Sequence, residues 1–392
     1  MAGHVDAGRG PKALRQILMK VHGSCNLACD YCYVYEHADQ GWRARTSAMS
    51  PTVLAQSARR IGEHVTSRDI RRLRVILHGG EPLLAGPQAI DDIARSLRGS
   101  VRPTTDLELV VQTNGTLLNE AFLAVFHRHG IRVGVSIDGT GAAHDRHRRF
   151  ANGRGSHERV ARGIALLTRP EHRSLYSGLL CTIDLANDPV ETYESLLWSR
   201  PPKLDLLLPH GNWLHPPGGL AGGGTPYGDW LIAVFDRWYD APTRETEIRL
   251  FGSILSLLLG GPASSEVIGP DPDDLVVIES DGTIEQHDAL KSTVDGGGAT
   301  GMTVMAQSLD DVLAHEAWSR APGLGPECRR CPEVAVCGGG LRAHRFDPAR
   351  GFDRPSVYCA DLFALIRHVR SRLTHDIERL RPTMAAERCP ST

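Results

Sequence analysis

The chain has 392 residues, enough for one large domain and a smaller one. Its hydrophobic fraction of 41% and charged fraction of 23% are typical of a soluble globular protein, and its net charge of −2 argues against a nucleic-acid partner. The sequence has no apolar run long enough to span a bilayer and no signal-peptide pattern at its start. We therefore expect a cytoplasmic protein without a membrane partner.

From about residue 13, apolar runs typical of buried strands alternate with amphipathic runs typical of helices. The strand-like runs are 14–21, 73–77, 107–112, 132–137, 176–183 and 204–208. The helix-like runs are 51–64, 87–97, 119–129, 156–167 and 189–198. Strand followed by helix, repeated in this way, predicts an α/β fold with a parallel sheet and helices outside. Functional groups in such folds gather at the carboxyl ends of the strands.

The later part of the chain lacks this alternation. A segment rich in Gly and Pro at 216–226 predicts a loop, and helices are expected at 229–239 and 361–379. We expect four parts, listed in chain order: a flexible N-terminus at 1–12, a core domain at 13–240, a C-terminal domain with its helix at 241–380, and a tail at 381–392.

Three cysteines follow the first predicted strand, at Cys25, Cys29 and Cys32. Spacings of four and three bring three thiolates to one side of a short loop. Because a 4Fe–4S cluster normally takes four cysteine ligands, three would leave one iron open to a substrate or cofactor. A zinc knuckle or unrelated buried thiols are the alternatives. Zinc sites usually come as two cysteine pairs or Cys/His sets, however, and no second pair lies within the next hundred residues.

Polar or Gly-rich motifs also follow the next three predicted strands. Gly79, Gly80, Glu81 and Pro82 follow the second strand, where the glycines permit close backbone approach. Asn114 follows the third strand, and Ser136 ends the fourth. Arg149 closes a basic run that begins at 144, and an arginine fork suits a carboxylate. Other residues of this run, or a merely solvated basic loop, remain alternatives.

A second cysteine set lies near the end of the chain, at Cys328, Cys331, Cys337 and Cys359. Four thiolates allow full ligation of another 4Fe–4S cluster, and a structural zinc is the alternative. Cys181 and Cys389 stand alone.

The Cys-x3-Cys-x2-Cys pattern, with Tyr31 just before the last cysteine, resembles the signature of radical S-adenosylmethionine (SAM) enzymes. The resemblance implies a partial (β/α)6 barrel that carries a 4Fe–4S cluster on Cys25, Cys29 and Cys32, with SAM on the open iron. One electron from the cluster then cleaves SAM to a 5′-deoxyadenosyl radical. The implied SAM-binding residues are Tyr31, Gly79, Gly80, Glu81, Pro82, Asn114, Ser136 and Arg149.

The second cysteine set resembles the latter half of a SPASM domain, which implies one auxiliary 4Fe–4S cluster on Cys328, Cys331, Cys337 and Cys359. The usual first half of that domain supplies cysteines at or near the positions where this chain has Glu279 and His287. We therefore expect the auxiliary cluster nearer the barrel to be absent, although His287 as a ligand remains an alternative. Asp288 matches the acidic residue that accepts a proton in sulfatase-maturing relatives.

Further stretches, 207–213, 285–291, 337–345 and 351–359, resemble FxsB-type radical SAM/SPASM peptide maturases. This resemblance implies an aromatic-ring-to-Cβ crosslink (a cyclophane) in a ribosomally made precursor peptide, with Asp288 or His210 taking the proton. An electron donor such as ferredoxin or flavodoxin is implied as a further partner. Formylglycine formation by a sulfatase maturase, thioether formation, epimerisation and a non-catalytic iron–sulfur scaffold or electron carrier are the alternatives.

Overall fold

The computed structural model describes residues 13–269, 274–319 and 323–386. Cys389 and the N-terminal segment 1–12 lie outside these residues. The strands are β1 (Gln16–His22), β2 (Arg72–Gly79), β3 (Asp106–Thr113), β4 (Arg132–Ser136), β5 (Tyr176–Thr182), β6 (Lys203–Leu207), β7 (Glu247–Ile248), β8 (Leu275–Ile278), β9 (Thr283–Glu285) and β10 (Ala299–Thr303).

The α-helices differ widely in length. They are α1 (Pro51–Ser67), α2 (Gly86–Ser100), α3 (Glu120–His129), α4 (Gly141–His147), α5 (His157–Thr168), α6 (Pro189–Leu196), α7 (Pro226–Tyr239), α8 (Arg249–Leu258), α9 (Leu309–Ala314), α10 (Glu316–Ser319), α11 (Pro326–Arg329), α12 (Val334–Cys337) and α13 (Cys359–Ala386). No described helix is both long enough and apolar enough to cross a membrane.

The expected α/β fold is confirmed. Each of the six predicted strand runs forms a strand, and each of the five helix-like runs forms a helix. Local signals account for the helix ends. The Ser50 side chain accepts a hydrogen bond from the Val53 amide at the start of α1, and Asn119 caps α3 in the same way. Gly130 ends α3 in the left-handed conformation that favours glycine.

The described chain forms two compact units. The first contains residues 13–136, 148–177 and 274–319. Its strands lie in the order β10-β9-β8-β1-β2-β3-β4. Pairing is parallel from β8 to β4, and β9 and β10 add antiparallel strands at the edge. Alternate residues of β1, such as Ile17 and Met19, are fully buried.

The second unit contains residues 137–147, 178–269 and 323–386. It includes most of β5 and the parallel strands β6 and β7, with α7, α8 and α13 packed together. This division differs from the sequence-based boundary after residue 240. The segment 274–319 belongs to the first unit because β8 pairs in parallel with β1, from Gln16 opposite Leu275 to Met19 opposite Ile278.

Candidate active site

The loop after β1 gathers the first cysteine set in the first unit. The pKa of the Cys25 thiol is raised to about 11, mainly by burial and to a smaller extent by the nearby Glu81 and Cys32. The loop is folded by short-range hydrogen bonds, from the Cys32 amide to the Cys29 carbonyl (3.1 Å) and from the Glu36 amide to the Cys32 carbonyl (2.8 Å). None of the three cysteines forms a disulfide bond within the described residues. Soft sulfur donors grouped on one loop fit an iron–sulfur cluster.

The two glycines after β2 permit a close approach to this loop. The Gly80 amide donates to the His22 carbonyl at 2.8 Å, and the Glu81 amide donates to the Ser24 carbonyl at 2.9 Å. A Cβ at Gly79 would collide with the His22 carbonyl, and one at Gly80 would collide with the Tyr35 hydroxyl. Neither position can therefore hold a side chain without displacing the end of β1 or the cysteine loop.

Glu81 is fully buried behind the cysteine loop. It accepts hydrogen bonds from the Thr113 hydroxyl (2.7 Å), the Asn114 amide (2.8 Å) and the Leu83 amide (2.9 Å). The Asn114 side chain reaches the loop itself, with its Nδ2 3.8 Å from Cys25 Sγ. The predicted residues Glu81 and Asn114 are therefore brought together with the thiols, where they join the ends of β2 and β3 to the loop.

The aromatic residue of the loop meets an arginine that sequence reasoning did not single out. Arg148 donates to the Tyr31 hydroxyl at 2.7 Å. The neighbouring Arg149 contributes its main-chain carbonyl, which accepts from the Ala28 amide at 2.7 Å. A role for the Arg149 side chain at a SAM carboxylate stays a prediction. Ser136, at the end of β4, accepts from the Gln112 side chain at 3.1 Å.

Asp288 lies buried at the carboxyl ends of the strands of the first unit. Its Oδ2 accepts from Lys20 Nζ at 2.6 Å and also from the Tyr33 hydroxyl. Its Oδ1 is buried and has no hydrogen-bond partner among the described residues. Burial alone would raise the pKa of this carboxyl, but the charges of Lys20 and Lys291 outweigh burial and hold the pKa well below its usual range.

A buried ionic network surrounds Lys291, which follows Asp288 in the same 3-10 turn. Lys291 Nζ lies 2.5 Å from Glu285, 3.1 Å from Glu279 and 3.3 Å from Asp39. Arg45 also pairs with Glu285 and lies 3.5 Å from Glu279. Glu279, one of the two residues at expected cysteine positions, is thus an ion-pair partner in this structure. His287 accepts from the Ala289 amide through its side chain and caps the turn.

The second cysteine set lies in the second unit. The pKa of Cys337 is raised to about 11, mainly by burial and to a smaller extent by the three other thiols of the set, which lie near it. Gly338, Gly339 and Gly340 follow Cys337 with positive φ angles, and the Gly340 amide donates to the Cys337 carbonyl at 3.1 Å. Four grouped thiols fit a fully ligated cluster.

His210, the other candidate proton acceptor, also belongs to the second unit. Its ring lies 5.7 Å from that of His344. Its role in proton transfer stays a prediction.

Comparison with known proteins places these residues in a family context. Residues 19–180 match the radical SAM superfamily. The chain is 24% identical over 377 residues to the serine-type anaerobic sulfatase-maturating enzyme of Bacteroides thetaiotaomicron, covering 91% of this chain and 90% of the relative. It is 21% identical to the cysteine-type anaerobic sulfatase-maturating enzyme of Clostridium novyi, covering 93% and 97%.

Solved structures show the same fold. Native anSMEcpe with bound AdoMet superposes with a TM-score of 0.78 at 21% identity, covering 92% of this chain and 98% of that one. Streptococcus suis SuiB gives a TM-score of 0.58 at 14% identity, covering 88% and 77%. The family match covers the end of β1 and the strand ends that carry Cys25, Cys29, Cys32 and the Gly-rich motif. Residues 19–180 therefore belong to the radical SAM superfamily, whose cofactors are SAM and an iron–sulfur cluster.

Proposed function

We propose that this enzyme modifies a precursor peptide by oxidising one of its side chains. The observation that carries the proposal is the Asp288 carboxylate, which is buried and held by Lys20 while its Oδ1 has no partner among the described residues. A buried base with one unengaged oxygen suits removal of a proton from a substrate. The relatives named as sulfatase-maturating enzymes, and the related structures that hold peptides, support a peptide as that substrate.

In this proposal Cys25, Cys29 and Cys32 hold the cluster that binds SAM, and Cys328, Cys331, Cys337 and Cys359 hold one auxiliary cluster. When bound, SAM and the first cluster supply a 5′-deoxyadenosyl radical that removes a hydrogen atom from Cβ of the target residue. The protein contributes orientation and a place for the proton. Glu81 and the two glycines position the cysteine loop, and Asp288 Oδ1 accepts the proton that the substrate loses.

Two outcomes are consistent with this site. Formylglycine formation from Ser or Cys is favoured by the likeness to sulfatase-maturating enzymes along nearly the whole chain. The cyclophane crosslink is the second candidate, supported by the resemblance of the stretches 207–213, 285–291, 337–345 and 351–359 to FxsB-type peptide maturases.

The experiment is co-expression of the enzyme with each small open reading frame beside its gene, followed by tandem mass spectrometry. Formylglycine formation from Ser and cyclophane formation at an aromatic residue each remove two hydrogens from the peptide. Only formylglycine reacts with a hydrazide. Asp288→Asn should still form 5′-deoxyadenosine, since that step precedes proton loss, and should give no modified peptide. Cys29→Ala should form neither, and the proposal fails if Cys29→Ala retains full activity.

A further inference from the structure

The groups around Asp288 come from segments far apart in the sequence. Lys20 lies on β1 and His78 on β2, and the parallel pairing places them directly opposite each other. Residues opposite each other in neighbouring strands project their side chains from the same face of the sheet. Tyr33 comes from the cysteine loop, and Asp288 follows β9. Lys20 Nζ lies 2.6 Å from Asp288 Oδ2, and both side chains are almost wholly buried.

Lysine is rare in this chain, which makes these positions informative. Only four of the 44 Lys and Arg residues are lysine. Three of the four, Lys20, Lys203 and Lys291, lie among the described residues. Of these, Lys20 and Lys291 are 2% exposed and lie near Asp288. Arginine carries most positive charges elsewhere. An ammonium group is a compact charge with three donors, whereas a guanidinium is a wide planar fork. The site therefore uses the smaller cation where space is limited.

Burial and Lys20 together also affect the charge of the neighbouring His78. Burial, and then the charge of Lys20, lower the pKa of His78 to about 4, so His78 is neutral near pH 7. The charged and titratable groups that face Asp288 are Lys20, His78, Tyr33, Tyr35, Lys291, Glu279 and Glu285. Lys291 forms ion pairs with Glu279 and Glu285. Among the described residues, Lys20 is therefore the cation in direct contact with Asp288.

We propose that Lys20 is a positioning residue that keeps Asp288 ionised and fixes its Oδ2, so that Oδ1 is the atom offered to the substrate. This inference rests on the proposed function, because it assigns a proton-accepting role to Asp288. In the proposed reaction, the target residue first loses one hydrogen atom to the 5′-deoxyadenosyl radical. It then loses one proton to Asp288 Oδ1 and one electron to an iron–sulfur cluster. Lys20 takes up no proton in this step.

The first test needs no peptide. Lys20→Met is compared with wild type as anaerobically reconstituted holoenzyme, and the infrared carbonyl band of a protonated carboxylic acid is followed as the pH is lowered from 8 towards 4. An opposite charge in direct contact lowers a carboxyl pKa by about 1–3 units, so we expect the band to appear in Lys20→Met at pH values where wild type lacks it. The band should vanish in the double variant Lys20→Met/Asp288→Asn, which assigns it to Asp288.

The second test measures peptide modification and 5′-deoxyadenosine over the same pH range. In Lys20→Met, peptide modification should fall about tenfold for each pH unit below the raised Asp288 pKa, while 5′-deoxyadenosine formation continues. Lys20→Arg keeps the charge and should keep the wild-type pH profile, even at a lower rate. Lys203→Met, which removes an exposed lysine paired with Glu247, is the matched control and should behave as wild type.

The outcomes separate the two proposals. If the Lys20→Met infrared spectrum and pH profile both match wild type, the role of Lys20 is overturned. If the infrared band appears but no peptide is ever modified by wild type, the proposed function fails and the electrostatic role stands. Lys20→Gln replaces Lys20→Met in both tests if the methionine variant does not incorporate iron.

Discussion

The buried network around Lys291 provides a stability prediction with an internal control. Replacing Lys291 with Met removes an ammonium that lies within 3.3 Å of three carboxylates, on Glu285, Glu279 and Asp39. Removing one partner from a buried ion pair costs about 3–5 kcal/mol, since the remaining charge stays buried without compensation. Arg45 still pairs with Glu285 after the change. We therefore expect a loss near the lower end, about 3 kcal/mol.

The same substitution at Lys203 shows what an exposed pair contributes. Lys203 and Glu247 are both 51% exposed in their side chains and lie 3.3 Å apart. Such pairs contribute about 0–1 kcal/mol. The assay is urea unfolding of the cluster-free proteins, followed by circular dichroism. Lys291→Met/Glu285→Gln should recover part of the loss, because it removes one uncompensated charge. A Lys291→Met cost no greater than that of Lys203→Met would refute the reasoning.

Three further predictions concern other parts of the chain. Gly80→Ala should abolish 5′-deoxyadenosine formation, because its Cβ would collide with the cysteine loop, whereas Gly99→Ala has open space and should be fully active. Cys337→Ser should lower the iron content of reconstituted protein by about half, from two clusters to one, and unchanged iron would contradict an auxiliary cluster. Burial lowers the pKa of His64, whose Nε2 accepts from the Leu14 amide at 3.0 Å. The unfolded chain therefore binds more protons than the folded one as pH falls below about 6.5, and thermal stability should decline there in wild type but less in His64→Gln.

The fold was largely predictable because its signals are local. The runs of Val, Ile and Leu in β1 to β6 mark buried strands, and the intervening amphipathic runs mark helices. The strand β8 was missed for a physical reason. It is four residues long, and its partner β1 lies more than 250 positions earlier, so nothing near Leu275 in the sequence indicates the pairing. The short helix α4 was also missed, since seven residues carry little periodicity.

The candidate site was only partly predictable from the sequence. The cysteine sets were identified because their spacing is itself the chemical signal, and Asp288 was identified by resemblance. Its neighbours Lys20 and His78 were missed, because strand pairing and a distant turn bring them together. The scarcity of lysine was the one sequence signal that could have drawn attention to Lys20. Sequence reasoning also did not distinguish between neighbouring arginines. Arg148 contacts Tyr31, whereas Arg149 contributes a backbone carbonyl.

The pairing of β8 with β1 has a consequence for biosynthesis. A ribosome releases β1, β2 and all three cysteines of the first loop long before residues 275–278 emerge. Until then one side of β1 is an unpaired sheet edge, the kind of surface that invites association with other chains. The nascent polypeptide thus carries its metal-binding loop for most of translation without the segment that delivers Asp288. A gene fragment ending near residue 240 would include the whole match to the radical SAM superfamily and would still lack the proposed base.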